Sequence, residues 1–365
     1  MDNLTHTLFG ATLGRAAFAR AGRGTMAALL LASNAPDADI VAAAGGSLSY
    51  LAWHRGPTHG PLGVLGLSLA TAGIVKAWQH LADRRRSSEH AGFGALVLAS
   101  AAGLVGHVLM DLPTSYGTRL LSPFDWHWYA VDLMPIVDVY LLVALAAGLL
   151  VGRVRPALRQ RAAAAVLACM ALNYAVRTAS HQAALALVPP RLASGLPPPC
   201  GHAAAPSLVD RWPRLSPAER REEGAARCLV EIALVPSFLS PFRWQMIVQL
   251  SDSYQVAQVN VLEDGFDRPP AVPADATWAG ASLVPDQWTP AVLRAADSAV
   301  GRVFLDFSRF PATTSVLHGD RTATVTWQDL RFANVPGRPQ GRTNLFVATV
   351  RVGPDGRIIG ERLGE

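Results

Sequence analysis

Apolar runs long enough to cross a lipid bilayer constrain this 365-residue chain more than any other feature. A spanning helix needs roughly 17–25 apolar residues, because the hydrocarbon offers no partner to an unpaired backbone group. Four candidate spans lie at about 61–78, 91–110, 135–151 and 162–188. The last contains Arg177 and His181, which places its outer end at the interface. Two shorter segments, about 4–20 and 25–44, precede them. Arg15 and Arg20 end the first, and Asn34, Pro36, Asp37 and Asp39 interrupt the second. The pair therefore reads as a short or re-entrant hairpin covered by the other helices. The expected architecture is a mainly α-helical integral membrane domain with four to six membrane helices over residues 1–188.

Composition agrees with that reading. Half of the residues are hydrophobic and 16% are charged, where a soluble domain has about 25% charged residues. The basic residues, which give a net charge of +5, sit in short clusters between apolar runs. That is the pattern of membrane topology, so no nucleic-acid partner is expected. Arg15, Arg20 and Arg23, then Lys76, Arg84, Arg85 and Arg86, then Arg153, Arg155, Arg159 and Arg161 mark one side. The opposite loops, 45–60 and 111–134, hold only Arg55 and Arg119. The positive-inside rule assigns the first set to the cytoplasm. With the N-terminal hairpin counted as two crossings, residues 189–365 emerge outside a bacterial-type inner membrane. No cleavable signal peptide is expected, since Met1-Asp2-Asn3 provides no basic start.

Residues 189–225, rich in Pro and charge, read as a linker. From about 226 to 365 the pattern changes to period two, which predicts a small, mostly antiparallel β extramembrane domain with little helix. Its expected strands fall within Phe242–Val261, Arg302–Phe307, Thr322–Trp327 and Leu345–Val352, the last followed by the turn Pro354-Asp355-Gly356. Three cysteines without a CxxC argue against a cysteine zinc site. Cys169 lies in an apolar run, and Cys200 and Cys228 are able to pair if their half is in an oxidising compartment.

The chemistry is carried by histidine and aspartate. His6, His54, His59, His107 and His127 fall in the first 130 residues, each near an Asp or another His. Asp2 and His6 are four apart, as are His107 and Asp111, a spacing that stacks two side chains on one helix face. Asp37 and Asp39 follow Pro36, and His54-Arg55-Gly56-Pro57-Thr58-His59 forms a turn between spans. The topology brings His6, Asp37, Asp39, His54, His59, His107 and Asp111 to the same face, although charge counting used none of them. Imidazole with carboxylate suits zinc, or manganese or iron where oxygen ligands increase. Seven candidate ligands exceed the three or four that one catalytic zinc needs, so two or three ions are expected. Metal-activated water would be the nucleophile, with Asp37 or Asp39 orienting it and Arg55 clamping an anionic group. A second cluster, Asp125, His127, Asp132 and Asp138, follows in the same outer loop.

Each motif also has a plainer reading. His6 alone is an interfacial hydrogen-bonding residue, Asp37 a helix cap, and His54–His59 a polar turn at the headgroups. Trp53, Trp126, Trp128 and Tyr129 read as an interfacial aromatic belt. Convergence of the cluster on one face favours metal binding over those readings.

The motifs Asp2-x-x-Thr5-His6, Asn34-x-Pro36-Asp37-x-Asp39, His54-Arg55-Gly56-x-Thr58-His59 and Gly106-His107-x3-Asp111 occur in that order. In them the chain resembles, over roughly residues 1–150, the YdjM-like family. That family is described as LexA-binding, associated with the inner membrane, and expected to be a metal-dependent hydrolase. One departure is Gly60, where members often carry Ser. More faintly, the ligand order is similar to that of zinc-dependent phospholipase C and related nucleases. Those enzymes also use a free N-terminal Trp amine and a final His-x3-Asp/Glu pair, neither of which has a direct counterpart here. The resemblance implies a membrane-bound hydrolase acting on a phosphoester or lipid-linked substrate. The rivals are a metal-ion transporter or sensor, whose polar residues belong nearer the bilayer midplane, and a non-catalytic scaffold with a structural metal site.

Overall fold

The computed structural model of the protein describes residues 1–82, 89–192, 196–200, 210–211, 227–264, 282–333 and 346–364. Its N-terminal half is helical: α1 (Asn3–Ala16), α2 (Thr25–Ala32), a 3-10 segment (Pro36–Gly45), α3 (Ser47–Trp53), α4 (Pro61–Ala82), α5 (Phe93–Asp111), α6 (Val139–Val154) and α7 (Arg159–Leu192). Three stretches, Pro61–Leu81, Phe93–Asp111 and Pro156–Leu187, are long and apolar enough to cross a membrane. The pair Thr25–Ala32 and Pro36–Gly45 qualifies together but bends by 45° at the break. Pro36 starts the second piece, where its missing N–H costs nothing. The break itself is satisfied, since Asn34 Nδ2 donates to Leu30 O at 2.9 Å and to Thr7 Oγ1 at 3.0 Å.

Small residues let these helices meet closely, as is usual where lipid supplies no hydrophobic drive between them. A Cβ on Gly10 of α1 would stand 2.6 Å from Ser33 Oγ, and one on Gly103 of α5 would stand 3.1 Å from Ala32 Cβ. The basic segments gather at one end of the bundle. Arg15 donates to Leu149 O at 2.6 Å, Gln160 to Ala16 O at 3.1 Å, and Arg23 N to Glu89 O at 2.8 Å. At about 1.5 Å per residue, the 34 residues of α7 are longer than a bilayer requires. The surplus packs against the second half, with Ala184 in one core with Trp244, Met246 and Val248.

Two four-stranded antiparallel sheets form the framework of the described part of that half. The first, in the order β3-β4-β5-β6, comprises β3 (Leu229–Pro236), β4 (Arg243–Leu250), β5 (Ser253–Asn260) and β6 (Ser282–Pro285). The second, in the order β10-β9-β8-β7, comprises β7 (Pro311–Leu317), β8 (Ala323–Asp329), β9 (Val347–Val352) and β10 (Ile358–Leu363). A short bridge joins β1 (Tyr129–Ala130) to β2 (Asp210–Arg211), and short helices α8 (Val261–Asp264), α9 (Pro290–Ala296) and α10 (Ala299–Phe307) complete it. The helical membrane half followed by antiparallel β is the architecture expected from sequence.

Three local expectations are corrected. Residues 302–307 belong to α10, not to a strand. Ser298 caps that helix by accepting from Gly301 N, and Val300, Phe304 and Phe307 turn one face inward. The run Phe242–Val261 is a hairpin of two strands, and β4 is buried on both faces rather than alternating. Its even positions meet α7, and Ile247 packs with Phe310 and Leu330. Finally, α7 runs on to Leu192, into the stretch read as linker. Cys200 and Cys228 are joined as a disulfide.

Candidate metal centre

Each site element is anchored by ordinary backbone chemistry. Asp2 caps α1, accepting from Thr5 N at 2.9 Å and Thr5 Oγ1 at 2.5 Å, so its carboxylate serves the helix end rather than an ion. One turn on, His6 is fully buried and stacks on His107 with ring centroids 3.8 Å apart. The 3-10 segment presents Asp37 and Asp39 at its start. The turn after α3 delivers His54, Arg55 and His59, and Arg55 takes a left-handed φ of 51° to do so. His107 and Asp111 close the last turn of α5, both fully buried.

Four of these side chains converge. Ligand atoms of Asp37, His59, His107 and Asp111 all lie within 4.8 Å of one another. His107 Nε2 is 3.2 Å from His59 Nε2, 3.5 Å from Asp111 Oδ2 and 3.6 Å from Asp37 Oδ1. The tautomer of His107 follows from its other nitrogen, which sits 2.8 Å from Ser33 O. A carbonyl only accepts, so Nδ1 carries the proton and Nε2 turns a lone pair into the cluster. His59 Nδ1 meets Thr58 Oγ1 at 3.0 Å, and when that nitrogen donates to the hydroxyl, Nε2 offers its lone pair to the cluster as well. Burial, then the nearby charge of Arg55, lowers the His59 imidazole well below its ordinary range and so favours its neutral form. In that tautomer two imidazole lone pairs face each other beside two carboxylates, a repulsion that a cation between them relieves. Asp37 Oδ2, Asp111 Oδ2 and both ring nitrogens of His6 are buried without a hydrogen-bond partner. That donor set, two imidazoles and two carboxylates in a dry site, fits a divalent transition metal.

The remaining expected ligands stand next to this group. His6 Nε2 is 3.3 Å from Asp111 Oδ1, and the Met1 amine lies against the same oxygen. Asp39 is committed to the turn after α3, holding His54 Nδ1 at 3.1 Å and Arg55 N at 2.7 Å, with His59 Nδ1 at 3.8 Å. His54 reaches on to the Tyr50 hydroxyl at 3.3 Å. Arg55 is buried and largely engaged: it meets Asp111 Oδ1 at 3.1 Å, donates to Thr114 Oγ1 and Gly117 O at 3.2 Å each, and lies over the Tyr116 ring. Thr58, Ser33, Thr114 and Tyr116 are supports that ligand spacing did not flag. Thr58 alone fell inside a motif.

The second acidic cluster does not join the centre. Asp132 pairs with Arg309 at 2.6 Å, Asp138 with Arg177 at 2.6 Å, and Asp125 contacts His127 and Tyr129. The aromatic belt is corrected for Trp128, which is buried beneath Arg119 and against Phe307. At Gly60 a Cβ would stand 1.9 Å from Ser122 O, so no side chain fits after His59.

Above the cluster opens a cavity of about 490 Å³. Asp37, Asp39, Tyr50, His54 and Arg55 are among its polar lining residues, and Ile40, Leu51, Ile136, Phe346 and Leu363 are among its apolar ones. The last two come from the β half.

The uncharacterized protein YfhP of Bacillus subtilis (strain 168) is 30% identical over 152 residues, covering 40% of this chain and 44% of that protein. The similarity therefore spans less than half of that relative. No solved structure matches. The profile of the family described as YdjM inner membrane protein matches residues 1–184, a stretch that holds every residue of the cluster. The chain is a member of that inner-membrane family.

Proposed function

We propose that the protein is a membrane-bound, metal-dependent hydrolase of phosphoesters carrying an apolar or lipid-linked portion. The observation that carries this reading is the buried cluster of Asp37, His59, His107 and Asp111, reached through Asp37 from a cavity lined by both polar and apolar side chains. Those four residues would hold the metal, most simply zinc. A divalent ion there supplies an acidified water as nucleophile and positive charge for phosphoryl oxygens. Asp37, the most exposed of the four at 13%, faces the cavity and orients the attacking water. Asp39 fixes His54 in the cavity wall, where its imidazole and the Tyr50 hydroxyl serve the departing oxygen as proton source. Arg55 anchors Asp111 beside the cavity, where its positive charge favours an anion. Ile136, Phe346 and Leu363 receive the apolar part. The site end and the β half belong on the non-cytoplasmic side. The gathering of basic segments at the other end supports this, as does a disulfide suited to an oxidising compartment.

Elemental analysis of detergent-purified protein, beside a His107→Ala/Asp111→Ala variant, tests the reading together with hydrolysis of bis-p-nitrophenyl phosphate and of phospholipid vesicles. Bound zinc or manganese and hydrolysis, both lost in the variant, are expected. Metal bound without hydrolysis of either probe would leave a structural metal site. Folded protein that takes up no metal even with zinc added would end the proposal.

A further inference from the structure

The loop between β3 and β4 carries large apolar side chains at its tip: Phe238 is 46% exposed and Leu239 68%. Leu262 of α8, 52% exposed, stands at the base of the same hairpin, where Val261 N donates to Phe242 O at 2.9 Å. Two contacts hold this patch against membrane helices. The Tyr140 hydroxyl, one residue into α6, donates to Leu239 O at 3.0 Å. Val261 packs into the core that Ala184, Leu185 and Leu187 of α7 share with β4. Tyr140 is itself 52% exposed, and below it Val143, Leu150 and Val154 expose 60%, 61% and 69% along α6. The apolar tip thus continues the exposed apolar strip of α6, a short apolar helix, at that helix's N-terminal end. A tyrosine there has the amphipathic character of headgroup-level residues, and a contiguous exposed apolar patch marks an interaction surface.

We infer that the loop at 237–241 dips into the phospholipid headgroup–acyl boundary, on the same face as the metal cluster, and holds the β half on the membrane. Lipid is the occupant because the patch is continuous with a lipid-facing strip.

The test uses the full chain in nanodiscs with Leu239→Cys on a Cys169→Ser background. Both positions are exposed, so no core packing is lost, and the remaining cysteines are joined to each other. An environment-sensitive fluorophore at residue 239 should emit at shorter wavelength than in water. It should be quenched by lipids carrying nitroxides near the glycerol end and spared by aqueous iodide. Quenching by iodide with none by lipid nitroxides overturns the inference, placing the tip in water. Quenching by neither also overturns it, because protein, such as a second copy, would then cover the tip. The readout involves neither metal nor hydrolysis, so it fails or succeeds independently of the proposed activity.

Discussion

Arg55 shows how one residue at the centre is defined by its neighbours. On spacing alone it is a free guanidinium beside two histidines, an obvious clamp for an anion. In the fold it is buried, spread over Tyr116, and committed to Asp111, Thr114 and Gly117. Burial pushes the Tyr116 phenol well above its ordinary value, so a neutral ring lies under the charge. Removing the guanidinium takes one of two cations from the buried Asp111 and leaves Thr114 and Gly117 without their donor, a loss bounded by that of a fully broken buried pair, about 3–5 kcal/mol. Arg55→Ala is therefore expected to lower the unfolding midpoint in detergent markedly. Arg55→Lys should recover only part, because an ammonium lacks the planar fork. An unchanged midpoint in Arg55→Ala would show that the side chain is held in reserve for a ligand instead.

At the scale of elements, α6 and α7 are tied by a second buried pair. Asp138 caps α6 by accepting from Leu141 N at 2.8 Å, and its other oxygen meets Arg177 at 2.6 Å, both side chains fully buried. An ion pair in this position demands its partner, since a lone buried charge is far worse than none. Asp138→Ala should destabilise by roughly 3–5 kcal/mol. Asp138→Ala/Arg177→Leu should lose less than that single change, a non-additivity that a double-mutant cycle on unfolding midpoints reads directly. Equal losses in the two would remove the pair as a determinant of α6–α7 packing. The same scale explains the misread segment at 302–307. Arg302–Phe307 satisfies both a period of two and a helical face. The decision came from the Ser298 cap and from the seat of Phe304 among Trp327, Ala348 and Val350.

The whole molecule is two halves locked through the loop between α5 and α6. Arg331 donates to Ser115 O at 2.8 Å and Tyr116 O at 3.0 Å, Arg309 reaches Asp132, and Arg119 meets Asp306 at 2.5 Å. Tyr116, Trp128 and Phe307 fill the joint. Because that loop also lines the cavity through Tyr116 and Ile136, the β half and the metal cluster share one compartment. Leu317→Cys on a Cys169→Ser background places a thiol at a residue 73% exposed on β7. In intact bacteria whose outer membrane admits a charged maleimide, it should react without permeabilisation of the inner membrane. Reaction only after that membrane is opened would put both the β half and the site in the cytoplasm.

The sequence by itself determined the membrane half, because span length and the absence of charge are imposed by the solvent and are written residue by residue. It also determined that His and Asp belong at one end, since the order of turns and spans settles which ends share a face. Only the tertiary structure decided how those residues divide. It drew Asp37, His59, His107 and Asp111 within reach of one ion, gave Asp39 and His54 to each other, and sent Asp132 and Asp138 to distant arginines. Spacing along a chain reports which side chains share a face. Whether two of them meet depends on backbone breaks such as Ser33–Ala35, and on partners more than a hundred residues away, such as Arg309 for Asp132. Those are properties of packing, and no local pattern carries them.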